Sequence, residues 1–88
     1  MKQKQIHLIG IGGISMSGIA KILLHNGYQI TGSDMKSNYL IEDLIKLGAE
    51  IHIGHARENV MGADLVVKSN AIPENNVELK YASENEIP

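Results

Sequence analysis

A cluster of glycines between a strand-like run and a helix-like run constrains this chain more than any other feature. Residues 5–9 (QIHLI) contain apolar and β-branched residues, and they lead directly into Gly10, Gly12 and Gly13. From Ser15 onward, apolar residues recur at the spacing of one helix face: Met16, Ile19, Ala20, Leu23 and Leu24. A strand that turns through glycines into a helix is typical of a βαβ unit, so this segment predicts a parallel sheet.

The rest of the chain repeats this alternation. We predict strands over 28–34, 49–53 and 64–68, and helices over 15–25 and 40–47, with Gly27 and Gly48 closing the two helices. Residues 54–63 are predicted to be a loop with at most one helical turn. Pro73 fits the first turn of a last helix that contains Val77 and Tyr81.

The predicted fold class is therefore α/β: a Rossmann-like open parallel sheet with helices on both faces and a βαβαβ start. The alternation stops at Pro88, where the pattern calls for another strand. We expect residues 1–88 to be one domain, truncated at its C-terminus, of a longer protein.

Composition narrows the class of function. The formal net charge is −2 and the lysines are scattered, which gives no electrostatic footprint for nucleic acid. The chain has no cysteine, so it can form neither disulfides nor a thiolate metal site. It contains no apolar run long enough for a signal peptide or a membrane span. We expect a cytoplasmic domain with no nucleic-acid or membrane partner.

The glycine loop suits a phosphate group, because small residues let the backbone approach it and the helix start favours negative charge. In the nicotinamide fingerprint G-x-G-x-x-G, the third glycine would stand where this chain has Ser15. We expect Gly18 to allow the close helix–strand approach instead, and Ser15 to cap the helix or contact a phosphate oxygen. Asp34 ends the second predicted strand, where a carboxylate can accept hydrogen bonds from ribose. The predicted ligand class is a nucleotide diphosphate; a tight turn without a ligand is the alternative.

Three separated blocks of the sequence are similar to a known family. The stretch IHLIGIGGISMSGIAKILLHNGYQITGSD resembles the opening of the Mur ligases, where GIGGxGMSG precedes GSD. The likeness continues through GHARENV, against a GHxxxN block, and through SNAIPENNVEL, against SsAIxxxNpEl. Within the family it is most similar to members that join L-alanine to UDP-N-acetylmuramate. This chain departs from the family pattern at Ser15, which replaces a usual glycine, and at Asn70, which replaces a frequent serine.

The resemblance implies the UDP-binding N-terminal domain of a three-domain, ATP-dependent ligase of peptidoglycan precursor synthesis. It implies that the glycine loop faces the diphosphate, that Ser33 and Asp34 lie near the uridine, and that the segment 69–71 lines the opposite wall. His55 and Asn59 are implied to shape the uracil pocket. The implied UDP-binding residues are Gly10, Gly12, Gly13, Ser15, Met16, Ser17, Ser33, Asp34, His55, Asn59, Ser69, Asn70 and Ala71.

ATP and Mg²⁺ belong to the implied full-length enzyme, whose phosphate-binding G-x-x-G-K-S/T loop does not occur in these 88 residues. The chain is therefore expected to bind UDP-N-acetylmuramate without catalysing, and to act with its own central and C-terminal domains. Three other interpretations of the sequence stay open: the N-terminal domain of a murein tripeptide ligase, an NAD(P)-binding Rossmann domain, and a stand-alone nucleotide-sensing module.

We predict structural roles for three of the histidines. His52 and His55 form an H-x-x-H pair, but no third ligand stands at a suitable spacing, so we predict loop structure rather than a metal site. His7 lies in the first predicted strand, where we predict a hydrogen-bonded structural role rather than catalysis. The stripe that contains Met16 is predicted to be core packing.

Overall fold

The computed structural model describes residues 4–88 of the chain, which form a four-stranded parallel sheet flanked by helices. The strands are β1 (Gln5–Ile9), β2 (Gln29–Asp34), β3 (Glu50–Ile53) and β4 (Leu65–Lys68). The helices are α1 (Ile14–His25), α2 (Tyr39–Lys46) and α3 (Val77–Glu84), with a short 3₁₀ helix at Arg57–Val60. All strand pairs are parallel and the spatial order is β3-β2-β1-β4, which confirms the predicted Rossmann-like class.

The two faces of the sheet differ in chemistry, because successive side chains of a strand point to opposite faces. Ile6 and Leu8 of β1 lie on the face covered by α1 and α2, where the aliphatic core forms. His7 lies on the other face, which α3 and the 3₁₀ helix cover. The core on the first face consists of Ile6, Leu8, Ile11, Met16, Ala20, Ile30, Ile41, Leu44 and Ala49. This placement of Met16 confirms the prediction that its stripe is core packing.

Helix ends follow local sequence signals. Gly27 and Gly48 adopt φ of +87° and +107° directly after α1 and α2, as predicted, because glycine tolerates this left-handed conformation. Asn38 starts α2, where its Oδ1 accepts a hydrogen bond from the Ile41 amide at 3.0 Å.

Two predictions about the packing and bounds of the helices are wrong. The last helix begins at Val77 with Asn76 as its N-cap, so Pro73 lies in the preceding turn rather than in the first helical turn. A Cβ placed on Gly18 would meet no atom within 4 Å, so this glycine does not mediate a close helix–strand approach. A different close contact lies at Gly32 of β2, where a Cβ would stand 2.5 Å from Cδ1 of Ile11 in the glycine loop.

Candidate functional site

The sheet order reverses between β1 and β4, and that is where ligands bind in open α/β sheets. The carboxyl end of β1 carries the glycine loop, residues 10–13, and the carboxyl end of β4 carries residues 69–71. The Ser69 amide donates to the Ile9 carbonyl at 3.1 Å. A Cβ on Gly10 would lie 3.2 Å from Ser69 Cβ. The structure therefore brings the two segments together at the point where the sheet order reverses, and their predicted role as walls of a ligand crevice stays a prediction.

The first half of the glycine loop is anchored on β2. The amides of Gly10 and Ile11 both donate to the Ser33 carbonyl, at 2.8 and 3.1 Å. The Gly13 amide donates to the Gly10 carbonyl at 3.2 Å and closes a tight turn. The amides of Gly10, Ile11 and Gly13 are thus engaged in shaping the loop.

Asp34 holds the remaining amide of the loop. Its Oδ2 accepts from the Gly12 amide at 2.9 Å, and its Oδ1 accepts from the Met35 amide at 2.8 Å. Asn38 Nδ2 donates to the Gly12 carbonyl at 3.0 Å, so the loop is held from both sides. Each carboxylate oxygen keeps a second lone pair. The predicted contact between Asp34 and a ribose therefore stays a prediction that this geometry permits.

The N-terminus of α1 opens directly from this loop. Its N-cap is Gly13, and among the described residues no side chain caps it. The first-turn amides of Ile14, Ser15 and Met16 have no acceptor within the helix, by the geometry of any α-helix. The first turn also contains no acidic residue. This helix end is therefore positively polarised and suited to an anion.

Three predicted site residues of α1 have different environments. Ser15 is exposed and does not cap the helix, so that part of the prediction is wrong, while its predicted phosphate contact stays open. Met16 packs into the core with 6% exposure, so only its backbone amide can reach a ligand. The buried Ser17 donates its hydroxyl to the Ile14 carbonyl at 3.0 Å and so is turned toward its own helix.

A buried carboxylate lies beneath the loop, on the α3 side of the sheet. Glu78 has no exposed surface, and its Oε1 accepts from His7 Nε2 and from Ser33 Oγ, each at 2.7 Å. Its Oε2 accepts from Asn59 Nδ2 at 2.9 Å and from the Ala56 amide at 3.1 Å. Burial raises the pKa of Glu78, but the hydrogen bonds from these four residues outweigh it and lower the pKa to about 2. Glu78 is therefore ionised at neutral pH.

His7 is a hydrogen-bonded structural residue, as predicted. Its ring is buried, with Nε2 on Glu78 and Nδ1 at 2.8 Å from Thr31 Oγ1. Because an ionised carboxylate can only accept, Nε2 must carry a proton.

His55 and Asn59 are tied to the same cluster. His55 Nδ1 lies 2.9 Å from Ser33 Oγ and 3.4 Å from Glu78 Oε2. Asn59 Nδ2 donates to the Gly54 carbonyl at 3.1 Å as well as to Glu78. These contacts fix both side chains beside β2, and their predicted role at uracil stays a prediction.

Sequence reasoning missed Glu78 and Asn38 as contributors to the site. A glutamate in a short polar helix predicts an exposed side chain, and an asparagine before a helix predicts only a cap. A signal for Glu78 was available, because the SsAIxxxNpEl block contains a glutamate at this position.

The H-x-x-H histidines engage different partners. His52 Nε2 lies 3.2 Å from Glu50 Oε2 at the exposed edge of the sheet, whereas His55 faces the buried cluster. Within residues 4–88, no group of three or more His, Asp or Glu side chains is arranged to hold a metal ion.

In the same range, no helix is long and apolar enough to cross a membrane. Surface depressions of about 430 and 210 Å³ lie at the C-terminal half of α1 and beside α3, and neither borders the glycine loop.

Comparison with known proteins gives concordant results. A family model described as "Mur ligase family, catalytic domain" matches residues 5–88. The UDP-N-acetylmuramate–L-alanine ligase of Caldanaerobacter subterraneus subsp. tengcongensis is 60% identical over 99% of this chain and 19% of its own length. The crystal structure of the UDP-N-acetylmuramate-alanine ligase from Thermotoga maritima superposes with a TM-score of 0.92 and 36% identity, over 96% of this chain and 20% of that one.

A murein peptide ligase structure from Psychrobacter arcticus also matches, with a TM-score of 0.89 and 28% identity, over 96% of this chain and 18% of that one. Other solved structures match at 14–19% identity and share the fold alone. The chain thus spans about a fifth of the length of the curated relatives that it matches.

Proposed function

This chain belongs to the Mur ligase family, and from that premise we propose that it binds the UDP portion of UDP-N-acetylmuramate as one domain of a longer ligase. The observation that carries the proposal is the uncapped N-terminus of α1, which opens at the reversal point of the sheet. A diphosphate is the part of a sugar nucleotide that such a helix end attracts most strongly.

The diphosphate lies against the first turn of α1, where the amides of Ile14, Ser15 and Met16 point out of the helix. The exposed Ser15 hydroxyl adds a side-chain donor at the same place. Gly13 is exposed, and a Cβ built on it meets only the Gly10 carbonyl oxygen, at 3.6 Å. The loop therefore presents bare backbone to the ligand.

The uridine lies toward β2. Asp34 is only partly buried, and its unused lone pairs can accept hydrogen bonds from ribose hydroxyls. His55 and Asn59 follow β3 on the same side of the crevice, held by the Glu78 cluster. Residues 69–71 supply the opposite wall.

The reaction itself belongs to the rest of the ligase. Two of the relatives are named for ligation of L-alanine to UDP-N-acetylmuramate, and we extend that activity to the protein of which this chain is a part. ATP and Mg²⁺ take part outside these residues, since the sequence has no G-x-x-G-K-S/T loop and residues 4–88 hold no cluster of three or more His, Asp or Glu side chains arranged to bind a metal ion. Cytoplasmic peptidoglycan precursor synthesis is the setting of the proposal.

A murein peptide ligase is the second candidate, favoured by the structural match at 28% identity. Both kinds of enzyme would hold the same sugar nucleotide through this domain. The identities of 60% and 36% with alanine ligases favour the first assignment.

Titration with UDP-N-acetylmuramate, UDP and NAD in parallel, followed by amide chemical shifts, tests the proposal. We expect the two uridine ligands to shift the amides of residues 13–16, with no matching effect of NAD. Shifts with NAD alone would establish a nicotinamide domain, and no binding of either uridine ligand would refute the proposal.

Two substitutions of Asp34 sharpen the test. Asp34→Asn keeps an oxygen that can accept from the Gly12 amide, whereas Asp34→Ala removes it. We expect Asp34→Ala to weaken UDP binding more than Asp34→Asn does, while both variants stay folded. Equal affinity of the wild type and both variants would remove Asp34 from the site.

A further inference from the structure

Ser33 connects the buried Glu78 to the glycine loop. Its hydroxyl donates to Glu78 Oε1 at 2.7 Å, and its carbonyl accepts from the Gly10 and Ile11 amides at 2.8 and 3.1 Å. Asp34, the next residue, accepts from the Gly12 amide. Three successive loop amides are thus held by two adjacent residues of β2, one of which is fixed from below by Glu78.

The charge of Glu78 determines where the hydrogens of this cluster lie. Ser33 has one hydroxyl hydrogen and gives it to Glu78, so its oxygen can only accept from His55. His55 must therefore carry its proton on Nδ1, and His7 must carry one on Nε2. Each hydrogen bond to the carboxylate therefore has one possible donor. The side chains around the carboxyl end of β2 cannot exchange donor and acceptor roles.

Packing alone does not explain a carboxylate in this place. A buried charged group is often replaceable by well-packed apolar residues with no loss of stability. The side of the sheet that holds Glu78 does contain an apolar cluster, formed by Val60, Ala63 and Ala82. What an apolar side chain could not do is accept hydrogen bonds from Ser33, His7, Asn59 and the Ala56 amide together.

We propose that Glu78 is a positioning residue for binding of the UDP moiety, which acts through Ser33 to set the placement of the glycine loop. Glu78 does not touch the ligand, because it is fully buried beneath β1 and β2. The inference rests on the proposed function, since the loop matters for affinity only if the ligand lies there.

Glu78→Gln tests the proposal. The substitution keeps the shape but replaces one acceptor oxygen by an NH₂ group, which then faces donors on either side of the site. We expect the amide resonances of Gly10, Ile11 and Gly12 to move in the free protein. Affinity for UDP-N-acetylmuramate, counted per folded molecule, should fall about 10- to 100-fold, the range found when a residue that orients metal ligands is removed.

Two companion variants separate positioning from mere folding. Glu84→Gln alters an exposed glutamate of the same helix, and both the loop resonances and the affinity should stay at wild-type values. Glu78→Asp keeps the carboxylate and should recover part of the lost affinity. A folded Glu78→Gln protein that binds as tightly as the wild type would overturn the proposal.

Ser33→Ala covers the case in which Glu78→Gln does not fold. It removes only the hydroxyl link and leaves the carbonyl that holds the loop. Ser33 is fully buried, so its hydroxyl does not contact the ligand, and weakened binding by this variant would support the proposal. Unchanged binding would overturn it. Failure of the wild type to bind either uridine ligand would refute the proposed function instead. In that case the loop resonances of a folded Glu78→Gln protein would still show whether Glu78 positions the loop.

The tautomers of the histidines, determined from ring ¹⁵N shifts, provide an independent test. A mere change in the stability of the protein would not alter them. His55 protonated on Nδ1 and His7 protonated on Nε2 would support the cluster as described. A neutral His55 with its proton on Nε2 would overturn the link through Ser33.

Discussion

Acid should destabilise this protein through Glu78. The pKa of this carboxyl group is about 2 in the folded chain, against an ordinary value of 4.5. When folding lowers the pKa of a carboxyl group, that group stabilises the folded state fully at pH values above its pKa in the unfolded chain. That contribution is lost as the pH falls from about 4.5 through about 2, because in this range the unfolded state binds a proton at Glu78 that the folded state does not.

The magnitude follows from the size of the shift. The difference between 4.5 and about 2 is about 2.5 pKa units, and at about 1.36 kcal/mol per unit it corresponds to about 3 kcal/mol. Glu78 has no exposed surface, so solvent screening does not reduce this value much. A loss of this size is a large share of the roughly 5–15 kcal/mol that stabilises a typical domain.

The assay is urea unfolding across this pH range for the wild type, Glu78→Gln and Glu84→Gln, with the Glu78 carboxyl followed by ¹³C NMR. We expect the stability advantage of the wild type over Glu78→Gln to shrink by about 3 kcal/mol on acidification. Glu84→Gln should parallel the wild type, because Glu84 is exposed. A Glu78 carboxyl that titrates near 4.5, or parallel curves for the wild type and Glu78→Gln, would refute the reasoning.

Four glycine substitutions test the packing in and near the loop by urea unfolding and UDP titration. Gly18→Ala, in the exposed middle of α1 with no atom within 4 Å of the new Cβ, should raise the free energy of unfolding by about 0.5–1 kcal/mol; a decrease would mean that the site is packed. Gly32→Ala places a Cβ 2.5 Å from Ile11 Cδ1 and should lower stability by about 1–3 kcal/mol; an unchanged midpoint would contradict the close approach of Ile11 to β2. Gly12→Ala places a Cβ 2.8 Å from Asp34 Oδ2 and 2.9 Å from Ile41 Cδ1, and should weaken UDP binding more than Gly13→Ala, whose Cβ has room. The reverse order would show that the Gly12–Asp34 contact is not needed for binding.

Local sequence signals were sufficient for the order of elements. The apolar run before Gly10 predicted β1 with its observed bounds, and the helical spacing after Ser15 predicted α1 to within one residue of its start. Gly27 and Gly48 marked the helix ends because only a residue without a Cβ readily adopts the left-handed conformation found there. Interactions between neighbours in the chain produce these features, so a window of sequence contains the information.

The glycine fingerprint was less reliable at Ser15 and Gly18. The pattern assigned a close approach of helix and strand to Gly18 of α1, but a Cβ there would meet no atom within 4 Å, and the close contact is between Gly32 of β2 and Ile11 of the glycine loop. Whether Gly18 faces the sheet depends on how α1 lies across it. That angle is set by packing of side chains from several elements, which the spacing of glycines does not encode.

By itself, the sequence determined the α/β class, the order of strands and helices, the position of the glycine loop at the end of β1 and the family to which the chain belongs. Only the tertiary structure decided that Glu78 is buried on His7, a residue 71 positions away, and that Ser33 joins this pair to the loop. The reason is physical: helix and strand periodicity arise from neighbours along the chain, whereas a buried charge is tolerated only where distant donors converge on it. No local pattern records that convergence until the sheet has formed and α3 has packed against it.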